Sequence, residues 1–450
     1  MSVNRKCRMR LAGNTPAVTW SLLMLAMIIG WSPHAIALQP LADLDAAALQ
    51  QFTEGRKEFS ARWVTPFLSG GHWGRGPQSN ADACSVCHQS GGRGRAPDGP
   101  EEPPQSLVLR LSMPGTDARG RPRAHHTYGT TLNQHGVLGQ LVEEGDFRIE
   151  YTTQAVALAG GDRVTLRKPV IHLTALWYGP IGNDTIVSLR LAQPVFGLGL
   201  LEAISEATLQ AIAREQQELG FNGRLNVVLD ETSGTRKTGR FGHKASQPDL
   251  RQQVAVAFHD EIGVTSSIYP REQCSPAQKP CDLVEHLEGV EARERQLDLI
   301  AAYLRLLAPP AQRNRDDAQV SRGAELFDSA RCSVCHRPEI KTAADAHFAP
   351  LRNRVIHPYT DLLLHDMGEG LADGRREFDA GARDWRTPPL WGVGLRRQTN
   401  GNASLLHDGR ARNITEAILW HQGEAELSRR SFVAMSEQER EALVRFVNSL

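Results

Sequence analysis

The pentapeptide Cys332-Ser333-Val334-Cys335-His336 repeats, residue for residue, Cys84-Ser85-Val86-Cys87-His88. C-x-x-C-H is the attachment site of c-type haem. Two thiols two residues apart, on a turn that opens a helix, reach both vinyl groups of one porphyrin. The adjacent histidine then places a ring nitrogen under the iron as proximal ligand. Chance yields ~0.004 such motifs in a chain of this cysteine and histidine content, so two copies are a strong signal. A thioredoxin-like pair needs no histidine after its second cysteine, and a zinc site brings its two pairs within ~15–20 residues of each other. Here Cys87 and Cys332 lie 245 positions apart. The motifs predict two covalently bound c-type haems, with His88 and His336 as proximal iron ligands.

Helix-like stretches surround both motifs. Gly323-Ala324-Glu325-Leu326-Phe327 leads into Cys332, and Gly55-Arg56-Lys57-Glu58-Phe59 precedes a Gly-, Trp- and Ser-rich approach to Cys84. Residues 283–307 carry apolar side chains at helical spacing and are stopped by Ala308-Pro309-Pro310. Residues 436–450 open on a capping box, Ser436 with Glu439, and line Ala442, Leu443, Phe446, Val447 and Leu450 along one face. The fold class expected is mainly α, with two cytochrome c-like haem domains, residues 38–310 and 311–450. The first is enlarged by a β-rich insertion, about 105–192, where apolar and polar residues alternate. Gly160-Gly161-Asp162 reads as a hairpin turn within it; the role of the sheet is not readable from sequence, a wall over the first haem being one use for it.

The N-terminus has the three parts of a secretory signal: Arg5, Lys6, Arg8 and Arg10, then an apolar run Ala17–Trp31, then Ala35-Ile36-Ala37. The alternative is a membrane anchor, but the run falls short of the ~20 residues that span a bilayer. Cleavage of residues 1–37 leaves 413 residues bearing 47 basic and 51 acidic side chains, destined for the periplasm. Hydrophobic residues at 40% and charged residues at 23% exclude a disordered chain or a polytopic membrane protein. A slightly acidic chain without a basic stripe is a poor nucleic-acid binder. Cys274 and Cys281 flank a loop containing Pro276 and Pro280. A disulfide suits an oxidising compartment, and two free thiols are the alternative.

The sixth iron ligands come from elsewhere in the chain. Candidates for the second haem are His357, His365, Met367, His407 and His421. For the first they are Met113, His125, His126, His135 and His172, with His243 and His259 placed between the units.

Longer stretches carry a family resemblance: SLRLAQPVFGLGLLEAI (188–204), GRFGHKA (239–245), LLLHDMGEGLADG (362–374), WRTPPLWGVGL (385–395) and LLHDGRARNITEAILWHQGEA (405–425). With the paired haem motifs, the chain resembles the bacterial di-haem cytochrome c peroxidase superfamily, which includes the MauG-type enzymes. Within it, the chain is most similar to the di-haem oxidoreductases labelled thiol oxidoreductases, over roughly residues 50–450. The resemblance implies one six-coordinate haem that stores an electron and another whose displaceable site cleaves the O–O bond of peroxide. In register, His421 falls where the peroxidases place a Met ligand and MauG-like members a Tyr. Bis-His ligation lowers a haem's potential relative to His/Met, and Met367 is the second candidate. The resemblance also implies a proton-moving Glu and Gln, here Glu202 and Gln193, and a tryptophan between the haems, among Trp385, Trp391 and Trp420. A calcium ion between the domains is a further implied cofactor. The function implied is an exported di-haem oxidoreductase that takes electrons from a redox protein or small donor and reacts with peroxide or another small oxidant. The alternative is an electron-transfer cytochrome with no chemistry of its own. No free cysteine stands in a catalytic setting, so the thiol label implies no thiol substrate.

Overall fold

Each C-x-x-C-H motif sits at the foot of a pair of crossed helices. The helix Ala46–Ser60 is capped by the Asp45 side chain, which accepts from the Ala48 N–H, and it packs along the helix Glu294–Leu306. The helix Ala318–Ser329 is capped by Asp317 and packs along the C-terminal helix Glu437–Ser449. Both crossings close on a glycine. A Cβ on Gly55 would collide with the Leu299 carbonyl and the Tyr303 side chain, and one on Gly323 with the Ala442 carbonyl and the Phe446 side chain. Four residues on, about one helical turn, Phe59 and Phe327 enter the same crossings. Their rings lie 5.3 Å from Tyr303 and 5.3 Å from Phe446, respectively.

The computed structural model describes residues 38–450 apart from 66–67, 90–91, 138–140, 280 and 282–288. The signal segment 1–37 and part of the helix expected at 283–307 therefore lie outside the described residues. That helix begins at Glu294, later than its periodicity implies. Gly289 takes φ +88°, a left-handed value that no α-helix holds, and Arg293 with Gln296 caps the later start. It ends at Leu306, ahead of the two prolines. The Ser436–Glu439 capping box forms in both directions. Cys84–Cys87 and Cys332–Cys335 are single helical turns, and the N–H groups of His88 and His336 donate to the Cys84 and Cys332 carbonyls at 3.0 and 2.9 Å.

Twelve α-helices and several small sheets supply the regular structure of the described residues. The strand Leu107–Thr116 pairs antiparallel with Ile186–Leu191. Asp146–Ala157 and Arg163–Thr174 form a long hairpin whose turn carries Gly160 and Gly161 at φ +92° and +95°. The first pair contributes Val108, Arg110, Arg190 and Leu191 to the central cavity. The hairpin instead clasps the C-terminal helices. Ala159 N–H donates to the Val433 carbonyl at 2.9 Å, and Arg440 donates to the Ala159 carbonyl and Asp162 carboxylate, both at 3.1 Å. Leu158 and Leu166 join the apolar cluster built around Phe327, Leu443 and Phe446. No described helix is long and apolar enough to cross a membrane.

Because the obstacles at Gly55 and Gly323 include backbone carbonyls, alanine cannot be absorbed by a rotamer change. Overpacking costs about 1–3 kcal/mol, against a helix-propensity gain of about 1 kcal/mol for Ala over Gly. Gly55→Ala and Gly323→Ala should therefore each lower the free energy of unfolding in chemical denaturation, by up to about 2 kcal/mol. A gain near 1 kcal/mol would show that the helices separate freely.

Candidate functional site

The two motif histidines are held alike. The Phe59 ring lies 6.1 Å from His88 at 53°, and the Phe327 ring 6.2 Å from His336 at 55°. Burial pushes each imidazole down to about 4, so both are neutral at neutral pH, as metal ligation requires. His336 Nδ1–H donates to the Tyr359 carbonyl at 2.9 Å, which leaves the Nε2 lone pair free. His88 Nδ1 lies beside the backbone of Gln193 and Gly92 without a hydrogen bond of good geometry.

The thiols match a covalent attachment site better than a redox pair. Neither Cys84–Cys87 nor Cys332–Cys335 is disulfide-bonded. Burial pushes Cys84, Cys87 and Cys332 each up to about 12. A thiol–disulfide exchange centre needs the opposite shift, toward the thiolate. Cys274 and Cys281 do form a disulfide, with Cα atoms 6.1 Å apart.

One continuous cavity of about 1020 Å³ is lined by both motifs. It reaches the top of the ~300–1,000 Å³ range of ordinary ligand pockets. Neutral imidazoles with free nitrogens, neutral paired thiols and this volume together fit the haems that the motifs predict.

His421 faces His336 across part of this cavity. It follows the helix Ile414–Trp420, and its Nδ1–H donates to the Ala417 carbonyl at 2.7 Å. The two ring centroids are 6.5 Å apart. Two metal–nitrogen bonds of ~2 Å plus half a ring at either end come to roughly 6 Å, so one metal ion fits between them. The other second-motif candidates are placed differently. Met367 lines the cavity. His365 has both ring nitrogens engaged, with Asp361 at 2.8 Å and Glu424 at 3.0 Å. His407 stacks on Trp385, centroids 3.8 Å apart, and His357 is exposed.

None of Met113, His125, His126, His135 and His172 lines the cavity. His125 spends both nitrogens on backbone groups, and His172 pairs with Glu150 on the outer hairpin. His243 and His259 do line it, but His259 is tied to Asp260 and the Arg271 carbonyl. Of the three tryptophans only Trp385 reaches the cavity wall, with Arg190 and Lys244 each 4.6 Å from its ring centroid. Trp391 and Trp420 are core residues. The one His/Cys/Asp/Glu trio with clustered ligand atoms among the described residues is Cys335, Asp361 and His365. A thiol and an imidazole do not suit calcium, which takes oxygen ligands.

Gln193 lines the cavity, whereas Glu202 does not. Both Glu202 oxygens bind Arg305, at 2.6 and 3.1 Å, and Oε1 also accepts the Leu250 N–H at 2.8 Å. A different carboxylate occupies the wall. Asp260 and Glu261 lie on a single π turn, Phe258–Ile262, and both engage Arg110. Glu261 Oε2 is buried without a hydrogen-bond partner. Its charge is close enough to raise the Cys87 thiol. Sequence reading missed this pair because Arg110 lies 150 residues before Asp260 and no local pattern announces a π turn.

The family model described as "di-haem oxidoreductase, putative peroxidase" matches residues 25–450, and the chain belongs to this family. No curated protein matches the chain. Among solved structures, hydrazine synthase of Kuenenia stuttgartiensis is similar at 12% identity and TM-score 0.34, over 97% of this chain and 100% of that one. A MauG-like protein associated with microbial copper homeostasis is similar at 15% identity and TM-score 0.29, over 57% of this chain and 89% of that one.

Glu202 thus has the contacts of a structural brace. Glu202→Gln should cost about 1.5–3 kcal/mol of stability in denaturant titration, the range for hydrogen bonds to charged groups. The visible absorption spectrum of the holoprotein should not change. An altered spectrum with stability intact would place Glu202 at the cofactor instead.

Proposed function

We propose that this di-haem oxidoreductase is an exported, periplasmic peroxidase-type enzyme with two covalently attached c-type haems. Its two cytochrome c-like units are residues 38–310, with the β-rich insertion near 105–192, and residues 311–450. Cys84, Cys87 and His88 hold one haem, and Cys332, Cys335 and His336 the other. His421 would be the second protein ligand to a metal held by His336, and haem bound there would supply an electron store. Haem held by His88 would supply the site for a small oxidant such as peroxide. One asymmetry carries this reading. His336 has two rings beside it, Phe327 and His421, whereas among the described residues His88 has only that of Phe59, the counterpart of Phe327.

Bound haem supplies one-electron redox chemistry and, where a coordination position opens, a site for a small oxidant. Reduction of H2O2 consumes two electrons and two protons and yields two waters. The electrons arrive singly from a redox protein or a small donor. The protons need a side chain at the cavity wall, and Glu261 meets that requirement better than Glu202. Arg110 holds Oε1 and fixes the carboxyl, while Oε2 is unpartnered. Burial raises this carboxyl above the usual carboxylate range against the pull of Arg110. Oε2 therefore holds a proton more readily than an exposed carboxyl and releases it toward the cavity. The Gln193 amide, also on the wall, is placed to orient a polar substrate.

Wild-type holoprotein should turn over peroxide with a one-electron donor. Glu261→Gln should lower kcat by roughly 10²–10⁴, the usual contribution of general acid–base catalysis, with both haems attached and their spectra unchanged. Equal rates in the two proteins would remove Glu261 from the mechanism. Absence of turnover in the wild type would move the function to electron transfer alone.

A further inference from the structure

Most cations of the interior are answered by acids, although Arg167 is held by the Gly409 and Arg410 carbonyls. Arg190 pairs with Asp373 and Glu377, Lys244 with Asp373, Arg410 with Asp408, and Arg110 with Asp260 and Glu261. Two arginines on the cavity wall break this pattern. The Arg386 guanidinium donates to the Gly242 carbonyl at 3.0 Å, the Thr387 carbonyl at 3.2 Å and Gln193 Oε1 at 3.5 Å. Arg396 donates to the Ser404 carbonyl at 3.0 Å. Among the described residues neither has a carboxylate within ion-pair distance, and both line the cavity shared by the two motifs.

Arg386 is buried and Arg396 half-buried; leaving a charge unpaired in the interior is costly, most of all for Arg386, and arginine does not escape by losing its proton. The missing anion must then come from whatever fills the cavity. A haem brings two propionate carboxylates, and the planar guanidinium matches a carboxylate with two parallel N–H donors. Neutral carbonyls now occupy part of each fork, and an incoming carboxylate can take the remaining donors. The backbone of Gln193, beside His88, links Arg386 to the first motif. The charges of Arg396 and Arg313 both bear on Arg93, so the second seat also lies in a locally cationic region. We propose that Arg386 and Arg396 are the cationic seats for haem propionates in this chain.

Redox titration of the holoprotein across pH tests this. The inference rests on the di-haem reading, so a pyridine-haemochrome count comes first. Fewer than two haems per chain is a failure of that reading, separate from the arginine assignment. Ferric haem carries one more positive charge than ferrous, so removing a nearby cation favours the ferric state. Arg386→Met and Arg396→Met should each lower a midpoint potential and steepen its pH dependence, because the released carboxylate then titrates. Arg386→Lys and Arg396→Lys should stay near the wild-type curves. A Met variant with both haems attached and wild-type potentials and slopes overturns the assignment of that arginine. Where a Met variant does not fold, the Lys variant decides: potentials near wild type support the seat, and potentials shifted downward despite the retained charge overturn it.

Discussion

The structure depends on two places where helix backbones touch. At Gly55 and at Gly323 the absence of a side chain lets a neighbouring helix bring its carbonyl against the Cα position. Each close approach seats a phenylalanine one turn later in the crossing, and that ring packs beside the motif histidine at nearly the same distance and tilt in both halves. The motif can then fold as a single helical turn with its thiols and imidazole directed into a common cavity. A cofactor tethered through its edge and its metal needs a frame that fixes both attachment points. A tight helix crossing is stiffer than a loop because every obstacle in it is backbone or a packed ring.

Beyond that shared frame the two sites diverge, and the divergence is the basis of the functional reading. On one side an imidazole anchored to its own helix by an i to i−4 hydrogen bond faces His336. On the other, the cavity continues into a polar wall bearing Arg110, Glu261, Gln193 and Arg386. Charges there are buried, and burial makes each interaction stronger while making every unmatched group costly. Matched networks such as Arg190 with Asp373 and Glu377 tie the strand Ile186–Leu191 to residues 373–377. Unmatched groups mark where something else is to be bound or moved.

The local signals were legible in the sequence. The haem motifs, the Gly-x-x-x-Phe approach to each, the Ser436–Glu439 capping box and the Cys274–Cys281 pair all depend on residues within a few positions of one another. The hydrogen bond from the His421 ring to the Ala417 carbonyl, one turn earlier, is local as well. What depends on long-range contact was not legible. Nothing near Glu202 signalled Arg305, and nothing near Glu261 signalled Arg110. The hairpin strands alternate as expected, but their docking on Val433 and Arg440 is a tertiary choice. The late start of the helix at Glu294 turned on the backbone angle of Gly289, which apolar periodicity does not report.

On this reading His421 would close one iron while the other keeps a displaceable position. Electron paramagnetic resonance of the holoprotein tests it most directly, first fully ferric and then after addition of one electron. The half-reduced sample is needed because a site can open only once its partner is reduced. One low-spin iron should turn high-spin in His421→Ala, and a second iron should be high-spin in at least one of the two wild-type states. Two low-spin irons in both wild-type states, or a His421→Ala protein with an unaltered low-spin signal, would contradict it.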